Sequence, residues 1–259
     1  MKILVMGGTG FIGLHLMKQL ANREDEICMA VRDEAKVPEE IKNGNIRVVA
    51  IDYDNNRDIS RVLEEMDTVI YLIGQMGMSG VTYDEFYRTN CLLTKRILTL
   101  AGKAKIEHFI FCSTPGVIGF GKRLGNEEEK YAPRNEYEKT KVIAEKLVIK
   151  ICSKYGVKYT ILRPDFVYGP GDYRRIAMYR NIMKKRFVLT TSGKSHLHPT
   201  YVEDVARGFI TCLGNEKAYG EIFNIAAEYD VTSKYYLECI ADTVGVKLIH
   251  INIGYPLSI

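Results

Sequence analysis

The sequence predicts an α/β fold, a doubly wound parallel sheet followed by a small C-terminal lobe. Short apolar runs alternate with helix-like segments through the first 165 residues, and a glycine-rich turn links the first run to the first helix. The chain has 259 residues, of which 46% are hydrophobic and 26% charged. One α/β domain with an appendage fits that length and composition.

Six apolar runs have the length and the β-rich composition of buried strands. We expect strands at residues 2–6, 27–31, 46–51, 68–73, 109–112 and 159–162. Helical spacing of apolar residues predicts helices at 11–20, 84–101 and 135–154. Strands that alternate with helices in this way pair in parallel, with helices on both faces of the sheet.

The pattern changes after residue 165. Residues 169–200 are rich in Gly, Arg, Lys and Tyr and are less regular. After them we expect a helix at 202–213, a strand at 222–225, a helix at 233–244 and a strand at 248–253. We therefore divide the chain into a main domain, 1–165, and a small lobe, 166–259. The pattern after Pro256 calls for a further element, so we expect this lobe to be truncated.

Composition argues against several classes of protein. The net charge is +4, with Lys and Arg mixed among acids, so nucleic-acid binding gains no support. The sequence has no run of about 18 apolar residues, so we expect no membrane span. His196-x-His198 has no third ligand at a familiar spacing, so we expect no metal. The six cysteines form no Cys-x-x-Cys pair, and we expect free thiols in a cytoplasmic protein.

The glycine-rich turn, Gly7 to Gly13, stands between a predicted strand and a predicted helix. Gly7 permits a tight turn, Gly10 lets the backbone approach a pyrophosphate, and Gly13 lets the helix press on the sheet. The first helical residues, Phe11 and Ile12, bring amide hydrogens and the positive end of the helix dipole to the same point. The alternative is a plain strand-to-helix turn. We expect residues 1–165 to bind a dinucleotide.

The end of the second strand selects between the two nicotinamide dinucleotides. A carboxylate there would accept hydrogen bonds from the ribose 2′-hydroxyl of NAD. The chain has Arg32 instead, followed by Lys36, and a guanidinium suits the 2′-phosphate of NADP. We expect NADP, and Asp33 keeps NAD as the alternative.

Tyr137 and Lys141 lie one helical turn apart and share one face of the helix at 135–154. An ammonium beside a phenol favours the phenolate and lowers its pKa from the ordinary value of about 10. Such a phenol can exchange a proton with an alcohol oxygen. The spacing is weak evidence alone, and its value comes from the other motifs of the chain.

These motifs occur in the order found in one family. They are the Gly7-to-Gly13 loop, Asp52, Leu72-Ile73-Gly74, Asn90, Cys112-Ser113-Thr114, Tyr137 with Lys141, Arg163-Pro164 to Tyr168-Gly169-Pro170, and Tyr201 to Val205. Through residues 1–227 the chain resembles an extended short-chain dehydrogenase/reductase, of the NAD-dependent epimerase/dehydratase group. The resemblance implies a Rossmann fold whose C-terminal lobe binds the substrate. It also implies a homodimer, formed through the helices that hold Asn90 and Tyr137.

The resemblance implies a role for each catalytic residue. Thr114 takes the position of the catalytic Ser or Thr and would hydrogen-bond the substrate oxygen, with Ser113 as its rival. The alternative for Thr114 is a hydroxyl at the end of a strand that only satisfies the backbone. Tyr137 would exchange the proton. Lys141 would bind the nicotinamide ribose and lower the pKa of the tyrosine.

The resemblance also assigns cofactor contacts along the rest of the chain. Asp52 would meet the adenine amine, with Tyr53 beside the ring. The segments after the fourth and sixth strands would line the dinucleotide: Leu72, Ile73 and Gly74 on the adenosine ribose and pyrophosphate, Pro164 to Val167 on the nicotinamide. Asn90 either contacts this site or braces the backbone.

The chain departs from the pattern of two subgroups. Nucleotide-sugar 4,6-dehydratases have Asp-Glu where this chain has Pro115-Gly116, which disfavours dehydration. UDP-sugar epimerases have an asparagine at the position of Phe166 and an Arg-Asp pair at Leu197-His198. Contacts to a diphosphate would then have to come from a basic cluster, which comprises Arg174, Arg175, Lys184, Lys185 and Arg186. The alternative is that these residues form a solvated helix face and bind no phosphate.

The expected function is NAD(P)-dependent hydride transfer at a secondary alcohol or ketone, by an oxidoreductase or epimerase. We expect a small-molecule substrate, with a nucleotide sugar as the first candidate and a non-sugar ketone as the alternative. A redox-sensing regulator that binds NADP without turnover is a further alternative, and a truncated, inactive scaffold is another. Such regulators commonly lack the tyrosine–lysine pair that this chain has.

Overall fold

The computed structural model describes residues 1–42, 45–77, 80–119 and 125–251. Its strands are β1 Lys2–Met6, β2 Glu26–Val31, β3 Ile46–Ala50, β4 Thr68–Tyr71, β5 His108–Cys112, β6 Lys158–Pro164, β7 Val167–Tyr168, β8 Val188–Leu189, β9 His196–Leu197, β10 Thr200–Tyr201, β11 Ile222–Ile225, β12 Val231–Thr232 and β13 Ile249–His250. The helices are α1 Phe11–Leu20, α2 Glu39–Lys42, α3 Asn56–Leu63, α4 Tyr83–Tyr87, α5 Thr94–Lys103, α6 Glu136–Tyr155, α7 Ile176–Met183, α8 Val202–Thr211 and α9 Ser233–Thr243.

A seven-stranded parallel sheet confirms the predicted fold class. Its strand order is β11-β6-β5-β4-β1-β2-β3. The order reverses between β1 and β4, because the chain first builds outward to β3 and then returns to the other side of β1. In sheets of this kind the crevice at the carboxyl ends of the strands on either side of the reversal holds the ligand. We therefore expect the ligand site at the residues that follow β1 and β4.

The chain divides into two compact units. Unit 1 comprises Met1–Asp165 and Val202–Ile225, and unit 2 comprises Phe166–Tyr201 and Ala226–Ile259. Residues 202–225, which the sequence analysis assigns to the small lobe, belong to unit 1 in this division. That segment joins unit 1 because β11 extends the sheet by pairing with β6. In addition, α8 buries an apolar face, and Gln19 Nε2 of α1 donates to Glu203 O at 2.9 Å.

Helix α6 carries the tyrosine–lysine pair and has a defined start and end. The side chain of Asn135, the N-cap, accepts from the backbone N–H of Glu138 at 2.9 Å. Gly156 ends the helix with φ 72°, in the left-handed region that glycine adopts without strain. The local sequence therefore determines both ends of α6, and so places Tyr137 in its first turn.

The predicted helix at 84–101 is continuous but not uniform. A capping box at Thr82 and Glu85 starts α4, and a π-helical stretch, Arg88–Leu93, joins it to α5. Such a stretch holds one extra residue per turn and is frequent at functional sites. Here it contains the buried side chain of Asn90.

In the described part of the chain, no helix is both long and apolar enough to cross a bilayer. All six cysteines are free thiols, and burial raises the pKa of several of them, including Cys91 and Cys112 to about 11. Such thiols are largely protonated and poorly nucleophilic at neutral pH.

His108 in β5 makes the stability of unit 1 depend on pH. Thr160 Oγ1 donates to Ala218 O at 2.5 Å, so it accepts from His108 Nε2 at 2.8 Å, which makes the imidazole the Nε2–H tautomer. His108 Nδ1 is buried and has no hydrogen-bond partner among the described residues. Burial lowers the pKa of His108 to about 4, from about 6.5 in the unfolded chain.

The unfolded state consequently binds one more proton than the folded state between pH 6.5 and pH 4. Stability is complete above that window and falls as the pH falls through it. Between pH 7.5 and pH 5 wild type should lose about 2 kcal/mol more unfolding free energy than His108→Gln. Urea denaturation at the two pH values measures this difference. Equal losses in both proteins would show that His108 does not titrate as proposed.

Candidate active site

The glycine turn after β1 fits closely against the end of β4. Gly7 has φ 91°, and a Cβ built on it would lie 2.9 Å from Ile73 N. A Cβ on Gly13 would lie 2.4 Å from Gly7 O, so α1 can press on the turn only with glycine there. Gly10 N donates to Gly7 O at 3.1 Å and precedes Phe11, the first residue of α1. The first amides of a helix have no intrahelical acceptor, which suits them to a phosphate.

Arg32 follows β2 directly and is exposed. Asp33, its neighbour, is the N-cap of a short helical turn and accepts from Ala35 N at 3.0 Å. Glu34 Oε1 accepts from Ala50 N at 3.0 Å. One oxygen of each neighbouring carboxylate thus accepts from the backbone, and Arg32, Asp33 and Glu34 are all exposed.

Asp52 and Tyr53 follow β3 and have different surroundings. The exposed Asp52 forms a turn in which Oδ1 accepts from Asp54 N at 2.8 Å. Tyr53 is buried in the main core, and its hydroxyl donates to Ala30 O at 2.9 Å. Burial raises the pKa of this phenol well above its ordinary value. Its contacts are those of a core residue, whereas the resemblance had suggested a position beside the adenine.

Leu72, Ile73 and Gly74 continue from β4 to the mouth of the crevice. A Cβ built on Gly74 would lie 3.5 Å from Asn90 Oδ1 and 4.0 Å from Lys141 Nζ. Asn90 and Lys141, both predicted for the dinucleotide site, thus lie close to Gly74, which was predicted for the same site.

Asn90 braces the segment that leaves β4. Its Oδ1 accepts from Gln75 N at 2.8 Å, and its Nδ2 donates to Gln75 O at 3.0 Å and to Thr140 Oγ1 at 3.1 Å. All three contacts are to protein groups, and Asn90 is almost fully buried. They support the bracing alternative, in which Asn90 ties the loop after β4 to α6.

Thr114 and Ser113 stand at the end of β5. Thr114 is half-buried, and its Oγ1 accepts from Gly116 N at 3.3 Å, which leaves the hydroxyl proton available to a ligand. Ser113 Oγ is buried and has no hydrogen-bond partner in the described residues. The geometry therefore keeps both hydroxyls as candidates.

Gly116 packs closely against α6. A Cβ built on Gly116 would lie 2.9 Å from Oε1 of the buried Glu138. Oε2 of Glu138 accepts from Arg134 N at 2.6 Å, so the side chain is held in place. Any side chain at position 116 would therefore require Glu138 to move.

Lys141 is buried and points at the end of β5. Nζ donates to Cys112 O at 2.7 Å and lies 4.1 Å from the centroid of the Phe111 ring. Burial lowers the pKa of this ammonium, and nearby Cys112, Glu145 and Cys91 oppose that shift. A cation in such surroundings acts strongly on neighbouring groups because little water screens it.

Tyr137, one turn before Lys141, is half-buried. Its Cβ lies 3.6 Å from a Cβ built on Gly77, and its ring centroid lies 6.1 Å from that of Phe86. The tyrosine thus sits between the loop after β4 and helix α4. Lys141 of α6 thus reaches the end of β5, two residues before Thr114, and Tyr137 lies one helical turn earlier beside the loop after β4. A joint catalytic role for the three residues stays a prediction.

Glu145, one turn after Lys141, is a residue that the sequence analysis missed. Its carboxylate forms a bidentate ion pair with Arg163, at 2.9 Å to Nε and 2.7 Å to Nη2, and both side chains are almost fully buried. Tyr131 adds a hydrogen bond at 2.9 Å to Glu145 Oε2. The helical spacing from Lys141 was the signal that could have pointed to it.

The remaining predicted residues divide between the two units. Pro164 is buried in β6 of unit 1 and pairs in register with Ile225. Val167 is buried in unit 2, where its carbonyl accepts from Arg175 Nη1 at 2.8 Å and from Arg174 Nη2 at 3.2 Å.

The basic cluster of unit 2 differs from a set of phosphate ligands. Arg174 and Arg175 both pair with the buried Asp172, Arg174 Nε at 2.6 Å from Oδ1. Lys184, Lys185 and Arg186 are exposed. The first two are thus occupied by protein groups, and the other three match the solvated face named as the alternative. Within the described residues no group of three metal-ligating side chains occurs.

The residues of unit 1 fit a bound dinucleotide. Gly7 and Gly13 lie so close to neighbouring backbone that a Cβ on either would collide with it, so the turn can keep this shape only with glycine. Arg32 and Asp52 follow the next two strands, β2 and β3. The sequence model of the NAD dependent epimerase/dehydratase family matches residues 3–226.

Known proteins resemble this chain at modest identity. The chloroplast stem-loop binding protein of 41 kDa b of Arabidopsis thaliana is 28% identical over 97% of this chain and 66% of its own length. An uncharacterized UDP-glucose epimerase of Bacillus subtilis is 26% identical over 95% of this chain and 83% of its own.

Among solved structures, UDP-glucuronic acid 4-epimerase of Bacillus cereus in complex with NAD has a similar fold. Its TM-score is 0.84 at 24% identity, over 97% of this chain and 87% of that one. The match of the family model, over most of the chain, settles the family. This chain belongs to the NAD dependent epimerase/dehydratase family, of the extended short-chain dehydrogenase/reductase type.

Proposed function

We propose that this chain catalyses NAD(P)-dependent hydride transfer at a secondary alcohol or ketone carbon. The observation that carries the proposal is the position of Lys141, whose Nζ donates to Cys112 O at the end of β5 and lies 4.0 Å from a Cβ built on Gly74, in the segment that also contacts the glycine turn. Tyr137 precedes Lys141 by one turn of α6, and Thr114 follows Cys112 by two residues. The dinucleotide, when bound, supplies or accepts the hydride at C4 of its nicotinamide. The protein's part is to hold the reacting oxygen and to move a proton on or off it.

Each residue then has a defined task. Thr114 donates its hydroxyl proton in a hydrogen bond to the reacting oxygen, with Ser113 as its rival, and Tyr137 exchanges a proton with that oxygen. Lys141 supplies a poorly screened positive charge that favours the phenolate of Tyr137. Because Cys112 O takes only one of the three Nζ hydrogens, the others can reach a ribose hydroxyl.

A nucleotide sugar is the first substrate candidate, since relatives with that substrate in their names match most of the chain. In an epimerase the alcohol is oxidised and the keto intermediate is reduced on its other face. A ketone reductase is the second candidate. It is favoured by the pairing of Arg174 and Arg175 with Asp172, which removes two of the expected diphosphate contacts.

For the cofactor we propose NADP, because the exposed Arg32 directly follows β2, the strand whose end meets the adenosine ribose in dinucleotide-binding folds, while Asp33 caps a turn. Arg32→Ala should weaken NADPH binding at least 10-fold, since a charge-assisted hydrogen bond contributes about 1.5–3 kcal/mol. NADH binding should change less than 2-fold. Fluorescence titration measures both, and Arg61→Ala, which removes an exposed arginine of α3, is the control.

If Arg32→Ala left NADPH affinity unchanged, or if NADH bound more tightly to wild type, the cofactor would be NAD.

Turnover of a nucleotide-sugar panel and a ketone panel with NADPH and NADH tests the function. We expect either cofactor-linked reduction of a ketone, seen as loss of absorbance at 340 nm, or interconversion of sugar epimers. Binding of the dinucleotide without turnover in either panel would instead favour the redox-sensing regulator.

A further inference from the structure

Helix α6 contains two buried residues of opposite charge, Lys141 and Glu145, one helical turn apart. Lys141 is 3% exposed and Glu145 is 0% exposed. Residues at this spacing lie on one face of a helix, with their Cβ atoms about 5–6 Å apart. Tyr137 precedes Lys141 by the same interval, so a phenol, an ammonium and a carboxylate follow one another along that face. A negative charge therefore lies directly behind the tyrosine–lysine pair.

The surroundings of Lys141 leave Glu145 as the anion that supports its positive charge. Burial lowers the pKa of Lys141, whereas Cys112, Glu145 and Cys91 act to raise it. Burial raises the pKa of both thiols to about 11, so they are uncharged at neutral pH. Phe111, 4.1 Å from Nζ, contributes only the weak negative face of its ring. Of these groups, Glu145 is thus the one that carries a full negative charge.

The carboxylate of Glu145 is held in place by two residues outside α6. Arg163 donates from Nε to Oε1 at 2.9 Å and from Nη2 to Oε2 at 2.7 Å, and the Tyr131 hydroxyl donates to Oε2 at 2.9 Å. Lys146 Nζ lies 5.4 Å from the centroid of the Tyr131 ring. A bidentate pair fixes the orientation of a carboxylate as well as its charge.

The two charged residues of α6 are bound to neighbouring strands. Lys141 Nζ donates to Cys112 O of β5, and Glu145 is paired with Arg163 of β6. The two strands are in register at this point, where Cys112 pairs with Leu162, the residue before Arg163. Helix α6 is thus fixed to β5 at Lys141 and to β6 at Glu145, which keeps the ammonium and the carboxylate at a constant separation.

A buried ion pair contributes little to stability compared with apolar residues of the same volume, so it is weak evidence for a purely structural role. In these surroundings little water screens a charge, and the carboxylate acts strongly on its neighbours. A pair that only stabilised the fold would leave the charge of Lys141 unchanged.

We propose that Glu145 is a positioning residue of the candidate active site: its carboxylate keeps Lys141 charged, and Arg163 and Tyr131 keep that carboxylate in place. The inference rests on the proposed function for its link to catalysis, in which a charged Lys141 favours the phenolate of Tyr137.

Proton binding by Lys141 tests the proposal without a substrate. The full chain is labelled with carbon-13 at Cε of lysine and titrated by NMR, and the Lys141 resonance is the one absent from Lys141→Met. All variants carry Tyr137→Phe, so that the phenol takes no part in the titration. Glu145→Gln should lower the Lys141 midpoint by at least about one pH unit, because the lost carboxylate and the unpaired charge of Arg163 act in the same direction.

The double variant Glu145→Gln/Arg163→Met covers the case in which Glu145→Gln fails to fold, because it leaves no unpaired guanidinium in the interior. Circular dichroism verifies that each protein is folded. The Lys141 midpoint of the double variant should still fall, by about half a pH unit, because the carboxylate is absent. Glu136→Gln is the matched control. Glu136 is on the same helix in an exposed pair with Lys139, so its loss should leave the Lys141 midpoint unchanged.

A Lys141 midpoint in the folded Glu145 variants equal to that of the Tyr137→Phe protein would overturn the inference. The proposed function fails or survives separately. A lowered midpoint in a protein whose wild type turns over no substrate would support the role of Glu145 and refute hydride transfer. Turnover that requires Tyr137, together with an unmoved Lys141 midpoint, would do the opposite.

Discussion

Tyr137→Phe is expected to lower turnover by about 10²–10⁴-fold, the contribution typical of a positioned general acid–base. Phenylalanine keeps the ring that packs against Gly77 and Phe86 and removes only the hydroxyl that exchanges the proton. Dinucleotide affinity should be unchanged, because the glycine turn, Arg32 and Lys141 stay intact. Steady-state turnover on the active substrate and fluorescence titration with NADPH separate the two effects.

Tyr83→Phe is the control for this variant. Tyr83 begins α4 and is 41% exposed, so loss of its hydroxyl should leave turnover within 2-fold of wild type. Equal activity of wild type and Tyr137→Phe would rule out the proposed proton transfer, whatever the substrate proves to be.

Glu145→Ala should lower the free energy of unfolding by about 3–5 kcal/mol. The variant leaves the guanidinium of Arg163 buried without its carboxylate, and Arg163 Nη1 already has no hydrogen-bond partner among the described residues. The hydroxyl of Tyr131 loses its acceptor as well. A buried charge with no counter-charge is far more costly than the loss of an exposed pair.

Urea denaturation of the full chain, monitored by circular dichroism, measures this loss of unfolding free energy. Glu136→Ala is the matched control, since Glu136 is on the same helix and forms an exposed pair with Lys139. That variant should cost less than about 0.5 kcal/mol. A loss below about 1 kcal/mol in Glu145→Ala would mean that water or another group compensates Arg163.

Apolar runs of strand length could be predicted from the sequence, whereas two-residue strands and one short helix could not. The runs at 2–6 and 222–225 become β1 and β11 without change, because apolar β-rich runs of that length have few other structures open to them. The two-residue strands β7 and β10 are too short to show any periodicity. Helix α3 was missed although Asn55 caps it and Ile59, Val62 and Leu63 form its apolar stripe.

In the candidate site, residues identified by spacing were predictable and those defined by tertiary contacts were not. The glycine turn, Tyr137 and Lys141 follow from local patterns. Tyr53 and Asn90 could equally have faced a ligand, and only the positions of Ala30 O and Gln75 show that their polar atoms bind the protein. The ion pairs of Asp172 with Arg174 and Arg175 also could not be predicted from the sequence, because they depend on how unit 2 folds.

A crystal structure of the chain with NADPH tests the central claim most directly. We predict the pyrophosphate on the glycine turn, Lys141 Nζ within hydrogen-bond distance of a hydroxyl of the nicotinamide ribose, and the Tyr137 hydroxyl facing the carbon that receives the hydride. A dinucleotide bound elsewhere, or a Tyr137 hydroxyl that points away from the nicotinamide ring, would contradict the account.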